Sequence, residues 1–474
     1  MKKNISYLFI LILFSSSIAQ KKIEKECFMV MVGKRASSDG SVLIAHNNDL
    51  TGIEASLLEK ISKDPSYNDS IYFSSGLFIP PLKQNNELLL VRTFEGFEEG
   101  DATAISESMV SIGGGVALGS DRDSLAAKID TLVSEGLTGG IRYYALQQAS
   151  SARELVKLIG SHYTKYGVTY PSGIAIADTS EIWYMESGGG RTWAAVRVPD
   201  TSCMVVANGY QIGKINFNDT LHFLTSPKLL EFCKENNLVD STSITINFAK
   251  VFGGGRENRF YDTRRVWRGI SLLDSNYVGD YNRLEFPMFF QPNNKVSVND
   301  LFRILRDTYG KTKFSPDSTS GERLISSRNT VHTEVVQLNG TLPKEIGSIL
   351  WCGLSDPKHT VYLPFYFGIK EIPHKYSIGD EDEDLNSAFW QFKKLSDKLY
   401  NMKAEHYHKF VSILRSFEQR VLQNQQRIIK AFTEMNGKSF KKANEILNNY
   451  YTSLAKNAND VVSMLYKEIL KLEL

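Results

Sequence analysis

The stretch that decides the fold is Cys27-Phe28-Met29-Val30-Met31-Val32-Gly33, an apolar run that starts at a cysteine and ends at a glycine. Such a run predicts a buried β-strand that begins at the cysteine. A turn cluster at 36–41 and a second apolar run, Val42-Leu43-Ile44-Ala45, come next. Together the three segments predict an antiparallel β-hairpin.

The second strand of this hairpin leads into four polar residues, His46-Asn47-Asn48-Asp49. In an antiparallel pair, the residue that begins one strand lies beside the residue that ends the other. We therefore expect the polar cluster to lie next to Cys27.

The N-terminus has the pattern of a secretory signal peptide over residues 1–19. Lys2 and Lys3 precede the apolar run Tyr7 to Phe14, and small residues lead to a cleavage site after Ala19. The run is shorter than the ~20 apolar residues that a membrane-spanning helix needs. The sequence thus predicts export to the periplasm or the medium, without stable membrane insertion once the signal is removed.

Residues 20–26 form a short charged segment between this cleavage site and Cys27. One interpretation of Cys27 is an ordinary buried core residue. The other is that residues 20–26 are a propeptide, and that its removal gives Cys27 a free α-amine. That amine could accept the thiol proton without a separate histidine. The residues alone leave both interpretations open.

Composition excludes several classes of function. The 474 residues include 55 Lys and Arg against 53 Asp and Glu, so there is no broad basic field for nucleic acid. The four cysteines are far apart and form no C-x-x-C pair, and no H-E-x-x-H motif is present. We therefore expect neither a disulfide framework nor a metal site, and no nucleic-acid partner.

Between residues 27 and 385 the pattern is mainly that of a β-rich domain. Ser151 to Tyr166 has the apolar spacing of a packing helix. Strand-like runs follow at 174–177, 182–185, 193–198 and 204–207, with the spacing of a meandering antiparallel sheet. Gly113-Gly114-Gly115 lacks the spacing of a nucleotide-binding loop and predicts a plain turn.

Residues 386–474 contain no proline and have helical patterning that is interrupted at Asn436-Gly437. This pattern predicts a C-terminal helical hairpin packed on the domain, with its lysines and glutamates on a solvated face. The helical pair offers a surface for a homo-oligomer.

The opening Cys27-Phe-Met-Val-Met-Val-Gly-Lys-Arg-Ala-Ser-Ser-Asp-Gly-Ser-Val-Leu-Ile-Ala-His-Asn-Asn-Asp49 resembles that of the cysteine dipeptidase family, which includes dipeptidase A and the secernins. Further similar stretches occur in family order up to about Trp390. They are Leu146 to Glu154, Ala177 to Tyr184, Trp193 to Asp200, Val206 to Asn208, Arg264 to Trp267 and Ser387 to Trp390. The ordered set is more specific than any one stretch.

This resemblance implies the α+β fold of N-terminal nucleophile hydrolases, with two packed antiparallel sheets between helical layers in a four-layer αββα order. It also implies an enzyme that hydrolyses dipeptides without a cofactor. Cys27 would be the nucleophile, with its own α-amine as base and then acid, and an acyl-enzyme would form and be hydrolysed. Cys27 itself would release the propeptide by attacking the carbonyl of Glu26.

The resemblance also implies catalytic roles for three further residues. Asp49 would orient the α-ammonium of Cys27 by a charge-assisted hydrogen bond. Asn208 would donate to the tetrahedral oxyanion. Arg265 would place a fixed cation near the nucleophile and favour the thiolate, although Arg264 and Arg268 are alternatives for that position.

Two substrate-binding residues follow from the same comparison. His46 stands where the family usually has arginine, so a group that is charged at every pH is replaced by one that titrates near neutrality. Glu107 lies in a stretch similar to one of the family and would pair with the free ammonium of a dipeptide. Alternatives to a dipeptidase are an amidase or acylase for N-acyl substrates with the same nucleophile, and a catalytically inactive secernin-like binding protein.

Overall fold

The computed structural model describes residues 27–94, 96, 102–118, 135–253, 260–315 and 322–472. The predicted signal peptide, residues 1–19, and the predicted propeptide, residues 20–26, lie outside the described residues. Cys27 is the first residue described, and the first strand follows it directly.

The described strands form two large antiparallel sheets and one small hairpin. The first sheet has the order β12-β1-β2-β14-β15-β16. Its strands are β1 (Phe28–Val32), β2 (Val42–Asp49), β12 (Cys203–Val206), β14 (Thr330–Leu338), β15 (Ser348–Leu354) and β16 (Leu363–Tyr366). The predicted hairpin is present as β1 and β2, and Phe28 pairs with Asn47.

The second sheet has the order β13-β11-β10-β9-β8-β7-β6-β3. Its strands are β3 (Ser56–Ile61), β6 (Leu88–Thr93), β7 (Ala102–Ser106), β8 (Ser111–Ala117), β9 (Ser172–Ala177), β10 (Ile182–Gly189), β11 (Thr192–Val198) and β13 (Phe223–Thr225). The small hairpin joins β4 (Ile71–Tyr72) to β5 (Phe78–Ile79).

Ten α-helices lie in the described part of the chain. They are α1 (Ile141–Leu146), α2 (Ala152–Tyr166), α3 (Leu229–Glu235), α4 (Phe248–Phe252), α5 (Phe260–Ser271), α6 (Val298–Leu305), α7 (Lys344–Gly347), α8 (Ala388–Tyr400), α9 (Ala404–Asn436) and α10 (Phe440–Leu472). Short 3-10 helices occupy Ser275–Tyr277 and His374–Tyr376.

The layers follow from which elements touch. Strand β2 of the first sheet contacts β8 of the second, α6 and α8 contact the first sheet, and α1 and α2 contact the second sheet. The order is therefore αββα, and the α+β fold predicted for an N-terminal nucleophile hydrolase is confirmed.

Side-chain alternation along the strands builds two buried layers. In β10, Ile182 and Tyr184 belong to the core that includes the facing sheet, whereas Trp183 and Met185 pack in the cluster that includes α2. A strand that is covered on both faces has no polar face, which explains why these strands are continuously apolar in sequence.

Two predictions about the strands need correction. The run at 204–207 does not continue the meander, because β12 crosses to the first sheet and pairs with β1. Gly113-Gly114-Gly115 is not a plain turn, because it lies inside β8 at an irregularity between Ile112 and Gly115. Gly114 has a φ of 75°, which glycine adopts without strain.

The C-terminal region has three described helices, where the sequence pattern suggested two. Helix α8 ends at Tyr400, before α9 begins at Ala404, and α9 ends at Asn436, the residue at which the Asn-Gly pair predicts a turn. Helix α10 packs against both α8 and α9. None of the described helices combines the length and the apolar character that a bilayer-crossing segment requires.

Candidate active site

Cys27 occupies the position that the hairpin register predicts. Phe28 pairs with Asn47 on one side, and Met29 pairs with Val206 on the other, so Cys27 continues the ladder toward Asn48. The thiol is buried, and Sγ lies 3.7 Å from Asn48 Oδ1. The polar cluster at the end of β2 therefore reaches the cysteine, as expected from the sequence.

Arg265, on α5, binds the main chain of Cys27. Its Nη1 donates to the Cys27 carbonyl oxygen at 3.0 Å, and its Nη2 donates to Asn208 Oδ1 at 2.9 Å. The same Nη2 donates to Asp262 Oδ1 at 3.1 Å, and the arginine is fully buried. The planar guanidinium thus donates hydrogen bonds to three residues of the site, Cys27, Asn208 and Asp262.

The other two arginines of this helix bind partners other than Cys27. Arg264 forms an ion pair with Glu322 and lies over the ring of Phe314. Arg268 binds both oxygens of Asp307 at 2.7 Å. Of the three arginines that the sequence left as alternatives, Arg265 is the one that contacts Cys27.

Asn208 follows β12, the strand beside β1. Its Nδ2 donates to the carbonyl oxygen of Ala117 at 2.8 Å, while Arg265 engages its Oδ1. Because a guanidinium only donates, it fixes which end of the amide is oxygen, and the nitrogen must point away from Arg265. The amide orientation is therefore set by the arginine.

Asp49 is buried at the end of β2, where Arg323 forms an ion pair with Oδ2 and the Thr330 hydroxyl donates to Oδ1. Burial raises the pKa of Asp49 above its ordinary value, and the attraction of Arg323 and the Thr330 hydrogen bond offset part of this effect. These contacts link Asp49 to Arg323 and Thr330 rather than to the thiol of Cys27. Its role toward the α-ammonium stays a prediction.

His46 contacts two acceptors and the thiol. Nδ1 lies 2.6 Å from Glu334 Oε1, and Nε2 lies 3.2 Å from the Gly115 carbonyl oxygen. Burial lowers the pKa of His46, but the Glu334 carboxylate and a hydrogen bond with Cys27 outweigh it, and the net pKa is well above the ordinary value. Substrate binding by this buried histidine stays a prediction.

Glu107 is not brought to Cys27. It follows β7, on which Thr103 contacts the His46–Glu334 pair. Three strand residues lie between Thr103 and Glu107, so their backbones are about 13 Å apart along the strand. Its carboxylate binds Lys63 and Lys344. Hydrogen bonds from these two lysines lower the pKa of Glu107 to about 2. Two lysines thus occupy the carboxylate, and the role of Glu107 toward a substrate ammonium stays a prediction.

Three residues at the site were missed by the sequence analysis as individual candidates: Asn48, Thr103 and Glu334. Asn48 lies in the polar cluster that drew attention to Asp49. Glu334 is fully buried in the middle of β14, and Thr103 donates to its Oε1 at 2.6 Å. The available signal for Glu334 was a charged residue inside the run Thr330–Leu338, which otherwise reads as a strand.

A cavity of about 170 Å³ lies beside Asn208, with Gly209, Asn247, Asp262 and Met288 in its wall. Glu186 binds the main chain next to this wall. Its oxygens accept hydrogen bonds from the main-chain nitrogens of residues 211 and 212, and burial raises the pKa of Glu186 to about 8. Asp262 in the wall of this cavity is also a hydrogen-bond partner of Arg265.

Comparison with known proteins places this chain in a family. The sequence pattern of Peptidase family C69 matches residues 26–420. The chain belongs to peptidase family C69, which confirms the predicted resemblance and the predicted enzyme class. The match begins next to Cys27 and extends through the two sheets into α9.

Similar curated proteins span most of the chain. A "Probable dipeptidase" of Latilactobacillus sakei is 29% identical over 385 residues, which cover 78% of this chain and 80% of that protein. "Probable dipeptidase B" of Lactococcus lactis is 27% identical, with 83% and 84% covered. "Dipeptidase A" of Lactobacillus helveticus is 24% identical, with 81% and 84% covered.

Among solved structures, the chain is similar to a Caenorhabditis elegans N-acylethanolamine-hydrolyzing acid amidase ortholog. The TM-score is 0.35 at 10% identity, with 67% of this chain and 94% of that chain covered. A mutant conjugated bile acid hydrolase of Clostridium perfringens has a TM-score of 0.31 at 15% identity, with 73% and 93% covered.

Proposed function

We propose that the chain is an exported dipeptidase that uses Cys27 as an N-terminal nucleophile. The observation that carries the proposal is the contact between Arg265 and the carbonyl oxygen of Cys27, because it ties a buried cation and the amide of Asn208 to this cysteine. Family membership and the names of the similar proteins support dipeptides as the substrates.

The proposed reaction starts from a mature chain that begins at Cys27. The α-amine accepts the thiol proton, and sulfur attacks the peptide carbonyl to form a tetrahedral intermediate. The α-ammonium then donates this proton to the leaving amine as the carbon–nitrogen bond breaks. Water attacks the resulting thioester, and release of the carboxylic acid regenerates the thiol.

Two neighbouring residues would serve this reaction. The Asn208 amide has its oxygen fixed by Arg265 and donates one nitrogen hydrogen to the Ala117 carbonyl, and it would donate the second hydrogen to the oxyanion. Asp49, at the end of the strand beside β1, would pair with the α-ammonium once the propeptide is removed. The cavity beside Asn208 would hold part of the dipeptide.

The organisation of the chain belongs to the same proposal. Residues 1–19 would direct export, to the periplasm or the medium, and Cys27 would release residues 20–26 by attack on the Glu26 carbonyl. Residues 27–385 would form the hydrolase domain, and residues 386–474 would form a helical extension that packs on it and offers a surface for a homo-oligomer. The family match to residue 420 crosses this boundary, in accord with the packing of α8 on the first sheet.

The test is turnover of matched substrates by the mature protein. Each free dipeptide is paired with its N-acetylated form, and simple N-acyl amides complete the panel. We expect hydrolysis of the free dipeptides only, complete loss in Cys27→Ala, and retention in Cys233→Ser, whose buried sulfur lies on α3. Equal turnover of the acylated compounds would favour an amidase instead. No turnover of any compound would favour a binding protein.

A further inference from the structure

The pair formed by His46 and Glu334 is built into the first sheet. The two residues are direct cross-strand neighbours on β2 and β14, and both are buried. Their side chains meet at 2.6 Å between Nδ1 and Oε1. A buried pair this short, next to Cys27, has no role in the proposed reaction as described so far.

The acceptors around the ring determine its protonation. Nε2 faces the Gly115 carbonyl oxygen, which can only accept, so this nitrogen carries a proton. A neutral ring would then have Nδ1 as an acceptor, yet Nδ1 faces a carboxylate oxygen. The arrangement is satisfied when both nitrogens donate, which is the imidazolium form. The pKa of His46 is raised well above its ordinary value because the effects of Glu334 and Cys27 exceed that of burial, and this also favours the imidazolium form.

The second sheet holds the ring in this position. A Cβ added at Gly114 would lie 2.4 Å from His46 Nδ1, so the ring packs directly on the glycine backbone. The irregularity in β8 after Ile112 turns the Gly115 carbonyl toward Nε2. Thr103, from β7, donates to Oε1 and fixes the carboxylate.

The titratable groups near the His46–Glu334 pair include two thiols and a second histidine. Cys27 faces His46 from the start of β1. On β14, His332 Nε2 lies 3.9 Å from Glu334 Oε2. On β15, burial and the Glu334 carboxylate raise the pKa of the Cys352 thiol. In the described part of the second sheet, Thr103, Gly114 and Gly115 contact the pair, and none of these three residues carries a charge. His46 therefore lies between the Glu334 carboxylate and the Cys27 thiol and contacts both.

We propose that Glu334 is a positioning residue that keeps His46 as an imidazolium beside Cys27, where it favours the thiolate. This inference rests on the proposed function in taking Cys27 as the nucleophile, but the state of His46 can be measured without catalysis.

The first experiment measures alkylation of Cys27 by iodoacetamide as a function of pH in the mature protein, with peptide mapping to separate the other cysteines. Four proteins are compared: wild type, E334Q, H46R and H46R/E334Q. In E334Q we expect the Cys27 alkylation rate at pH 7 to fall roughly tenfold and the midpoint to move up by about one pH unit. In the H46R background, E334Q should change the rate less than about twofold, because arginine stays charged.

A merely structural Glu334 would give equal losses in both backgrounds, and that result would overturn the proposal. The second experiment follows the His46 ring by NMR in the wild type, with its signal assigned by its absence in H46R. We expect the ring to stay protonated through pH 8 in the wild type and to lose its proton at lower pH in E334Q. A neutral ring at pH 7 in the wild type would refute the inference, whereas activity that survives Cys27→Ala would refute only the proposed function.

Discussion

Arg265 donates to the main-chain carbonyl oxygen of Cys27 at 3.0 Å, and the same guanidinium holds the side-chain oxygen of Asn208. One buried cation thereby fixes the backbone of the residue that precedes β1 and the side-chain amide of Asn208. The planar fork of arginine can serve two acceptors at once, which lysine cannot do with the same geometry.

Substitution of Arg265 by lysine is therefore expected to lower kcat/KM for a dipeptide by roughly 100-fold, because the link between Cys27 and Asn208 is lost. The matched control is Arg268→Lys on the same helix, whose partner Asp307 lies away from the cysteine. Steady-state kinetics should place Arg268→Lys within about threefold of the wild type. Equal losses in the two variants would show that Arg265 has no special role.

Asn208→Ala is expected to lower kcat by roughly 100- to 1,000-fold with a small change in KM, since an oxyanion donor acts in the transition state. Asn216→Ala, at an exposed position after the same strand, should behave like the wild type. A variant that raised KM and left kcat unchanged would assign Asn208 to substrate binding instead.

Glu107→Gln is expected to leave KM for free dipeptides unchanged, because the Glu107 carboxylate is occupied by Lys63 and Lys344. The free energy of unfolding should fall by less than about 1 kcal/mol, since these partly exposed ion pairs are screened by solvent. Michaelis kinetics and urea titration measure the two quantities. A tenfold rise in KM would restore Glu107 as an ammonium site.

Acid should weaken the attachment of the C-terminal helices through His359. Its ring contacts Ser396 on α8 and Tyr407 on α9, and burial lowers the pKa of His359 from 6.5 to about 4. Between these values the unfolded chain binds a proton that the native ring does not, so stability falls as the pH falls from 6.5 toward 4. The loss by pH 4.5 amounts to about 2–3 kcal/mol.

The check is the free energy of unfolding at pH 7 and pH 4.5 for wild type, His359→Gln and His408→Gln. His359→Gln should lack most of the acid-dependent loss, whereas His408→Gln, an exposed position on α9, should retain it. The same pH dependence in all three proteins would mean that His359 does not control acid stability.

The sequence predicts the parts of the site that local pattern controls. The turn cluster fixes the register of β1 and β2, and the register alone brings the cluster that begins at His46 to Cys27. The apolar runs at 174–198 are strands because both of their faces are buried. The helix predicted from the apolar spacing of Ser151 to Tyr166 is present as α2, and Ser151 is its N-terminal capping residue.

What could not be predicted depends on contacts between distant segments. Glu334 reaches His46 across 288 positions of sequence, and Arg323 reaches Asp49 across 274. The crossing of β12 to the first sheet likewise depends on pairing with β1. The position of Gly114 against the His46 ring could not be predicted from glycine spacing, because the two residues lie on different sheets and far apart in sequence.

The most direct test of the central claim is the N-terminal sequence of the mature, secreted protein, compared with that of Cys27→Ala. We expect the mature protein to begin at Cys27 and the variant to begin at Gln20, because the variant cannot release its own propeptide. If both proteins begin at Gln20, Cys27 has no free α-amine, and the proposed mechanism is wrong.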